Sequence, residues 1–205
     1  MFVRIWTGVG LALLAPTILA ANSVFISEFH YDNAGTDTGE FIEITGPAGT
    51  DLTGWSVVLY NGSGGAVYDT DPLSGTIPDQ CSGSGTVVVN YPSNGIQNGS
   101  PDGIALVDAS GTVVQFLSYE GNFTVVGGPA NGLTSTDIGV AESGSEPVGL
   151  SLQLIDNAWR APAANTAGAC NIGSNPPPPP PTACDLPATS IGLIQGSGAD
   201  FDPAY

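Results

Sequence analysis

Short apolar runs, separated by turn-forming residues, recur along the chain from residue 23 onward. Seven of these runs are five to eight residues long and rich in β-branched or aromatic side chains, which is typical of strands. They are Ser23–His30, Glu40–Thr45, Trp55–Tyr60, Thr86–Tyr91, Ile104–Asp108, Thr112–Tyr119 and Leu150–Ile155. Asn-Gly and other glycine-containing turn sequences lie between them, so the pattern predicts a succession of short strands.

No part of the chain shows a sustained helical period, because glycine or proline interrupts almost every stretch of helical length. The runs at 104–108 and 112–119 predict a hairpin in which Gly111 takes a positive φ. Seven or more strands with frequent turns predict an all-β fold, a β-sandwich. The aromatic residues expected in its core are Phe41, Trp55, Phe116 and Trp159.

The first 21 residues have the pattern of a secretory signal peptide. One positive charge, Arg4, precedes the apolar run Ile5–Leu14, and the small residues Ala20 and Ala21 follow it. An uncleaved anchor is the alternative, but the apolar run is short for a membrane span. The sequence therefore predicts a secreted, extracellular protein with no membrane association after cleavage.

The composition changes after residue 172, where the predicted sandwich domain, residues 22–172, ends. Residues 173–183 form a proline-rich linker that contains Pro176–Pro181, a polyproline II spacer without core-forming capacity. Residues 184–205 are too few to form a core. We interpret them as the start of a truncated downstream domain, in a tail expected to be disordered.

The charge balance excludes several functions. The chain has 2 basic and 19 acidic residues, a net charge of −17, and no lysine. Such an acidic chain repels phosphate backbones, so direct binding of nucleic acid is not expected. The missing lysine excludes P-loop and Schiff-base chemistry, and the single histidine, His30, excludes a multi-histidine metal site.

Three cysteines, Cys81, Cys170 and Cys184, allow one disulfide and leave one thiol. A Cys81–Cys170 bridge would close a long loop, whereas Cys170–Cys184 would have to fold back across the stiff proline run. We favour Cys81–Cys170, with Cys170–Cys184 as the alternative.

The strongest concentration of polar groups lies between the first two predicted strands. Asp32, Asn33, Asp37 and Glu40 supply oxygen ligands on a glycine-containing turn, which suits a calcium ion. The alternative is ordinary turn chemistry, in which these side chains satisfy their own backbone. No G-x-S-x-G motif is present, and His30 falls inside a predicted strand, so we predict no catalytic residue.

Four motifs together resemble the lamin-tail domain family. They are Ile26-Ser27-Glu28, Glu40-Phe41-Ile42-Glu43, Leu52-Thr53-Gly54-Trp55, and Ser151-Leu152-Gln153 followed by Trp159. The resemblance covers about residues 22–170 and implies an immunoglobulin-like sandwich. The complete arrangement, with Ile194–Gly198 after the proline linker, is similar to the N-terminal region of large bacterial extracellular nucleases. In those proteins an oligonucleotide-binding-like domain and a metal-dependent endonuclease/exonuclease/phosphatase domain follow.

Two functional hypotheses result. In the first, the chain is a non-catalytic accessory or binding module of a secreted nuclease that hydrolyses extracellular DNA, and its partner is an unknown protein or surface ligand. In the second, it is a stand-alone exported binding or adhesive module that calcium stabilises.

Overall fold

A computed structural model of the chain describes residues 24–171. The predicted signal peptide, proline-rich linker and truncated downstream domain lie outside the described residues. Within the described residues the chain forms ten strands and no helix. The strands are β1 (Phe25–His30), β2 (Phe41–Pro47), β3 (Ser56–Asn61), β4 (Ala66–Pro72), β5 (Ser84–Asn90), β6 (Asp102–Val107), β7 (Val113–Tyr119), β8 (Thr136–Asp137), β9 (Leu150–Ile155) and β10 (Ala158–Ala164).

The strands form two sheets of five. The first has the order β10-β9-β1-β2-β5 and the second the order β4-β3-β6-β7-β8. All neighbouring strands are antiparallel except β7 and β8. The predicted all-β sandwich is therefore confirmed.

The main core lies between the two sheets, and a smaller apolar cluster covers the outer face of the second sheet. Alternation along β3 shows this division, because Val57 and Leu59 belong to the main core whereas Val58 and Tyr60 belong to the smaller cluster. The segment after β7 supplies Phe123, Val125 and Ala130 to the smaller cluster. Both faces of the central strands are consequently covered, which explains why these strands are continuously buried.

The four aromatic residues expected in the core occupy different layers. Phe41 and Phe116 are buried, and Phe116 lies in the smaller outer cluster. Trp55 and Trp159 are partly buried and pack against the main core.

The sequence pattern located seven strands, and the structure has three more. The predicted 104–119 hairpin is present as β6 and β7, with Gly111 at φ 84°. The additional strands β4, β8 and β10 are edge or near-edge elements. β4, which ends at Pro72, is an exposed strand whose polar residues give no apolar alternation.

The disulfide joins Cys81 to Cys170, with the two Cα atoms 6.2 Å apart. This is the pairing that the sequence favours. Cys184 lies outside the described residues. No helix that could cross a membrane occurs between residues 24 and 171.

Candidate functional site: a polar groove between three loops

Three loops meet at one end of the sandwich and enclose a polar groove. They connect β1 to β2 (31–40), β3 to β4 (62–65) and β5 to β6 (91–101). The polar groove has a volume of about 480 Å³. Its polar lining consists mainly of carboxamide and carboxylate side chains, namely Asp37, Asn61, Asn94, Gln97, Asn98 and Asp102.

Glu40, one of the predicted calcium ligands, anchors the loop on the far side of the groove. Its two carboxylate oxygens accept hydrogen bonds from the backbone N–H groups of Gly95 and Ile96, each at 2.9 Å. The Glu40 side chain is buried, and this burial raises its pKa although the two N–H donors act in the opposite direction. Glu40 therefore holds the 91–101 loop against the end of β2.

Asp37 is the predicted calcium ligand that lines the groove. Its Oδ1 accepts a hydrogen bond from the backbone N–H of Asn33 at 3.0 Å, and its Oδ2 accepts one from Asn98 Nδ2 at 3.2 Å. Burial raises the pKa of the Asp32 carboxyl, a hydrogen bond with Asn98 lowers it, and the charge of Asp37 raises it further.

The hydrogen bonds of the Asn33 side chain go to groups other than the carboxylates of Asp32 and Asp37. It is buried, and its Nδ2 contacts His30 Nε2 at 2.8 Å and donates to the Thr38 carbonyl at 2.9 Å. Between residues 24 and 171 no group of three or more His, Cys, Asp or Glu side chains is placed to hold a metal ion. The calcium site stays a prediction. Asn33 and Asp37 make hydrogen bonds within their own turn, whereas Asp37 also bonds to Asn98 and Glu40 bonds to the 91–101 loop.

A buried pair, His30 and Glu142, fastens the loop before β9 to the end of β1. His30 Nδ1 and Glu142 Oε1 are 2.8 Å apart, and Glu142 Oε2 accepts the backbone N–H groups of Tyr31 and Asp32 at 2.7 and 2.8 Å. Burial acts to lower the pKa of His30, but the hydrogen bond and charge of Glu142 outweigh it and raise that pKa. Glu142 is not among the residues predicted from the sequence, because no local pattern indicates that it contacts β1, more than a hundred residues earlier.

Asp102 joins two walls of the groove. It is buried at the start of β6, and its two oxygens accept the N–H groups of Gly62 and Gly99 at 2.9 and 2.8 Å. A Cβ on Gly62 would lie 1.9 Å from the Pro101 carbonyl oxygen, so only glycine allows the two loops to approach this closely. Asp102 is not among the predicted residues either, because the junction between loop and strand where it lies has no recognisable motif.

A second buried polar cluster lies on the outer face of the first sheet, below the 165–171 segment. Glu28 and Glu43 are directly opposite each other on β1 and β2. Glu28 accepts hydrogen bonds from Ser151 Oγ at 2.6 Å and from the Thr166 N–H at 2.8 Å, and Glu43 accepts the Gly168 N–H at 2.8 Å. Burial raises the pKa of Glu43 to about 7, although hydrogen bonds act against it, and the charge of Glu28 adds to the rise.

Comparison of the chain with models of known protein families, with curated proteins and with solved structures found no match in any of the three. The resemblance to the lamin-tail family therefore remains a prediction from the sequence motifs.

Proposed function

We propose that the chain is a non-catalytic binding module of an exported bacterial nuclease. The observation that carries the binding role is that the buried carboxylates hold the loops in place, whereas carboxamides line the polar groove. In each of the buried carboxylates Glu40, Asp102 and Glu142, both oxygens take part in hydrogen bonds that hold loops in place. The groove itself presents carboxamide groups, which bind ligands but neither exchange protons near neutral pH nor act as nucleophiles.

The nuclease context rests on the resemblance. The motifs that carry the resemblance lie in or next to strands of the sandwich. Glu40-Phe41-Ile42-Glu43 leads into and forms the start of β2, Leu52–Trp55 leads into β3, and Ser151–Gln153 lies in β9 beside β1. The carboxylates of the first and second motifs, Glu28 and Glu43, are buried where the 165–171 segment covers them. The motifs thus account for the architecture of a module, and catalysis would belong to the downstream domain of the parent protein.

Because this chain is strongly acidic, DNA binding would belong to another part of the parent protein. At a net charge of −17, the chain would release no counterions from DNA and would be repelled by it. The partner of the module is accordingly an unknown protein or a surface ligand.

Two measurements test this proposal. The purified chain, incubated with supercoiled plasmid DNA and Mg²⁺ or Ca²⁺, is expected neither to nick the DNA nor to retard it in a gel. Nicking that copurifies with the chain would overturn the non-catalytic role. Sequencing the gene past codon 205 is expected to show a frame that continues into a metal-dependent nuclease domain.

A stop codon directly after Tyr205 would instead favour the second hypothesis, a stand-alone exported module that calcium stabilises. That hypothesis predicts that millimolar calcium raises the melting temperature and that Asp37→Ala abolishes the rise. Asp69→Ala is a suitable control, because Asp69 is an exposed carboxylate of β4 that does not line the groove. An unchanged melting temperature of the wild type would remove the calcium site.

A further inference from the structure

We propose that the polar groove binds a neutral, hydroxyl-rich ligand, that is, a segment of an uncharged saccharide. This inference rests on the proposed binding role and names the class of ligand. It is carried by the charge of the groove, by the way its carboxamides are held, and by the rigidity of its walls.

The charge of the groove disfavours anionic ligands. Asp37 and Asp102 are the only charged residues that line it. The only lysine or arginine between positions 24 and 171 is Arg160, which lies on β10, an edge strand of the first sheet. A phosphate, sulfate or uronate group in the groove would therefore meet two carboxylates and no cation.

The two carboxylates are partly engaged within the protein. Both oxygens of Asp102 accept backbone N–H groups, and both oxygens of Asp37 accept protein N–H groups as well. About half of the roughly four acceptor positions of each carboxylate are therefore already used. The remaining chemistry of the lining is that of neutral amides and hydroxyls, which matches neutral ligands.

Each of four carboxamides at the groove makes a hydrogen bond through only one of its two polar groups, the oxygen or the NH₂. Asn94 uses its Oδ1 to accept the Asp37 N–H, and Asn98 uses its Nδ2 to donate to Asp37. Asn61 Nδ2 donates to Gln97 Oε1 at 2.6 Å, so this single bond holds one half of both side chains.

The other halves, Asn94 Nδ2, Gln97 Nε2, Asn98 Oδ1 and Asn61 Oδ1, have no hydrogen-bond partner among residues 24–171. Asn61 Oδ1 is enclosed by the protein, so only the other three groups are open to an occupant of the groove. Two donors and one acceptor are thus offered by side chains that are already positioned. A sugar hydroxyl both donates and accepts, and neighbouring hydroxyls on one ring match such a mixed set.

The walls of the groove are rigid, which reduces the entropic cost of binding. Glu40 fixes the 91–101 loop, and Asp102 ties that loop to Gly62. The volume of about 480 Å³ falls within the range of small-ligand clefts, roughly 300–1,000 Å³. Asn94 and Asn98 are exposed, so the groove is open to solvent and suits a segment of a longer chain.

The test is an NMR titration of the full ¹⁵N-labelled chain in which the side-chain NH₂ signals of Asn61, Asn94 and Gln97 are followed. The neutral probes are cellohexaose, laminarihexaose, maltohexaose and chitohexaose, each at up to about 10 mM to reach weak affinities. Tri-galacturonate supplies the anionic arm, and a glucosamine hexamer and calcium chloride supply the cationic arms.

At least one neutral oligosaccharide is expected to shift these side-chain signals, and the anionic probe is not. Gln97→Ala and Asn94→Gly are each expected to weaken that affinity about ten-fold, the effect of one lost hydrogen bond to a preorganised site. Glycine is chosen at position 94 because Asn94 has a φ of 54°, which alanine tolerates poorly. Asn165→Ala is the matched control, since Asn165 is exposed beyond β10 and does not line the groove.

The proposal is overturned if none of the four neutral oligosaccharides shifts the groove signals, or if only the charged probes do. It is also overturned if binding persists unchanged in both groove variants while their backbone spectra show a native fold. These outcomes leave the proposed function standing as a protein-binding module, because the DNA assays and the reading frame test that function separately.

Discussion

At the residue scale, the buried carboxylates of this protein act as anchors for backbone N–H groups. Glu40, Asp102 and Glu142 each accept two backbone N–H groups, and Glu142 also contacts His30. A buried carboxylate in such a position cannot be replaced cheaply, because its removal leaves several buried donors without an acceptor. The loops of this protein are therefore held by single side chains from distant parts of the sequence.

The first prediction concerns the Glu142 anchor. Glu142→Gln is expected to lower the free energy of unfolding by about 2–4 kcal/mol, because His30 loses its charged partner and the glutamine amide cannot accept hydrogen bonds on both sides, as the carboxylate does. Urea denaturation monitored by tryptophan fluorescence measures the change. Glu146→Gln is the matched control, since Glu146 is only partly buried in the same loop and its side chain bonds only to nearby residues. Equal effects of the two variants would show that the anchor contributes nothing.

The second prediction concerns pH. The pKa of Glu43 is raised to about 7, and that of His30 is raised above its ordinary value. A group whose pKa is higher in the folded state stabilises the fold fully below its unfolded pKa, and this stability is lost as the pH rises through the folded value. Both groups therefore make the protein more stable at mildly acidic pH than above neutrality.

Glu43→Gln isolates the contribution of Glu43, because glutamine keeps the shape of the neutral acid. The variant is expected to match the wild type at about pH 5 and to exceed it at about pH 8 by up to about 3 kcal/mol. Denaturation at both pH values provides the measurement. A variant that is less stable than the wild type at the higher pH would contradict the raised pKa of Glu43.

At the scale of elements, the first sheet depends on the 165–171 segment that follows β10. Glu28 and Glu43 lie opposite each other on neighbouring strands, an arrangement that repels when both are ionised. Hydrogen bonds from Thr166 and Gly168 satisfy them, and the Cys81–Cys170 bridge fastens the segment that carries these donors. The disulfide therefore secures a cover over buried acidic residues.

The third prediction tests this cover. Replacing both Cys81 and Cys170 with alanine is expected to lower stability by about 3–5 kcal/mol, because the bridge closes a loop with a sequence separation of 89. Hydrogen exchange should accelerate first at the amides of Thr166 and Gly168, whose acceptors are the two glutamates. Cys184→Ala, which keeps the bridge, is the control. Unchanged protection of those two amides in the double variant would show that the segment is held without the disulfide.

At the scale of the whole molecule, the net charge of −17 makes self-repulsion a general feature of the folded chain. The compact state brings the carboxylates closer together than the unfolded chain does, so repulsion opposes folding. Added salt screens this repulsion within a Debye length of about 8 Å at physiological ionic strength.

The fourth prediction follows from this screening. Raising sodium chloride from about 10 mM to about 200 mM is expected to increase the melting temperature in differential scanning calorimetry. Potassium chloride at equal ionic strength should have the same effect, because screening does not depend on the identity of the cation. A melting temperature that falls with salt would mean that local hydrogen-bonded and paired charges outweigh the general repulsion.

The sequence by itself determined the strands that have a strong local signal. Apolar, β-branched runs such as that of β3 predict strands, and in the structure these strands are buried. The position of Gly111 predicts the hairpin of β6 and β7. The Cys81–Cys170 pairing was also predictable, because the proline run disfavours the shorter loop. Local patterns sufficed because each of these features depends on residues near one another or on the stiffness of the chain between them.

Only the tertiary structure decided the edge strands and the groove. β4 is polar and exposed, so it has no pattern of burial that would mark it as a strand. It is a strand because it hydrogen-bonds to β3. The groove brings together loops that lie between positions 31 and 101 in the sequence, and its walls are held by Asp102 and Glu40 through backbone N–H groups. Backbone donors carry no sequence signature, so neither the partners of a buried carboxylate nor the place where distant loops meet can be read from the chain alone.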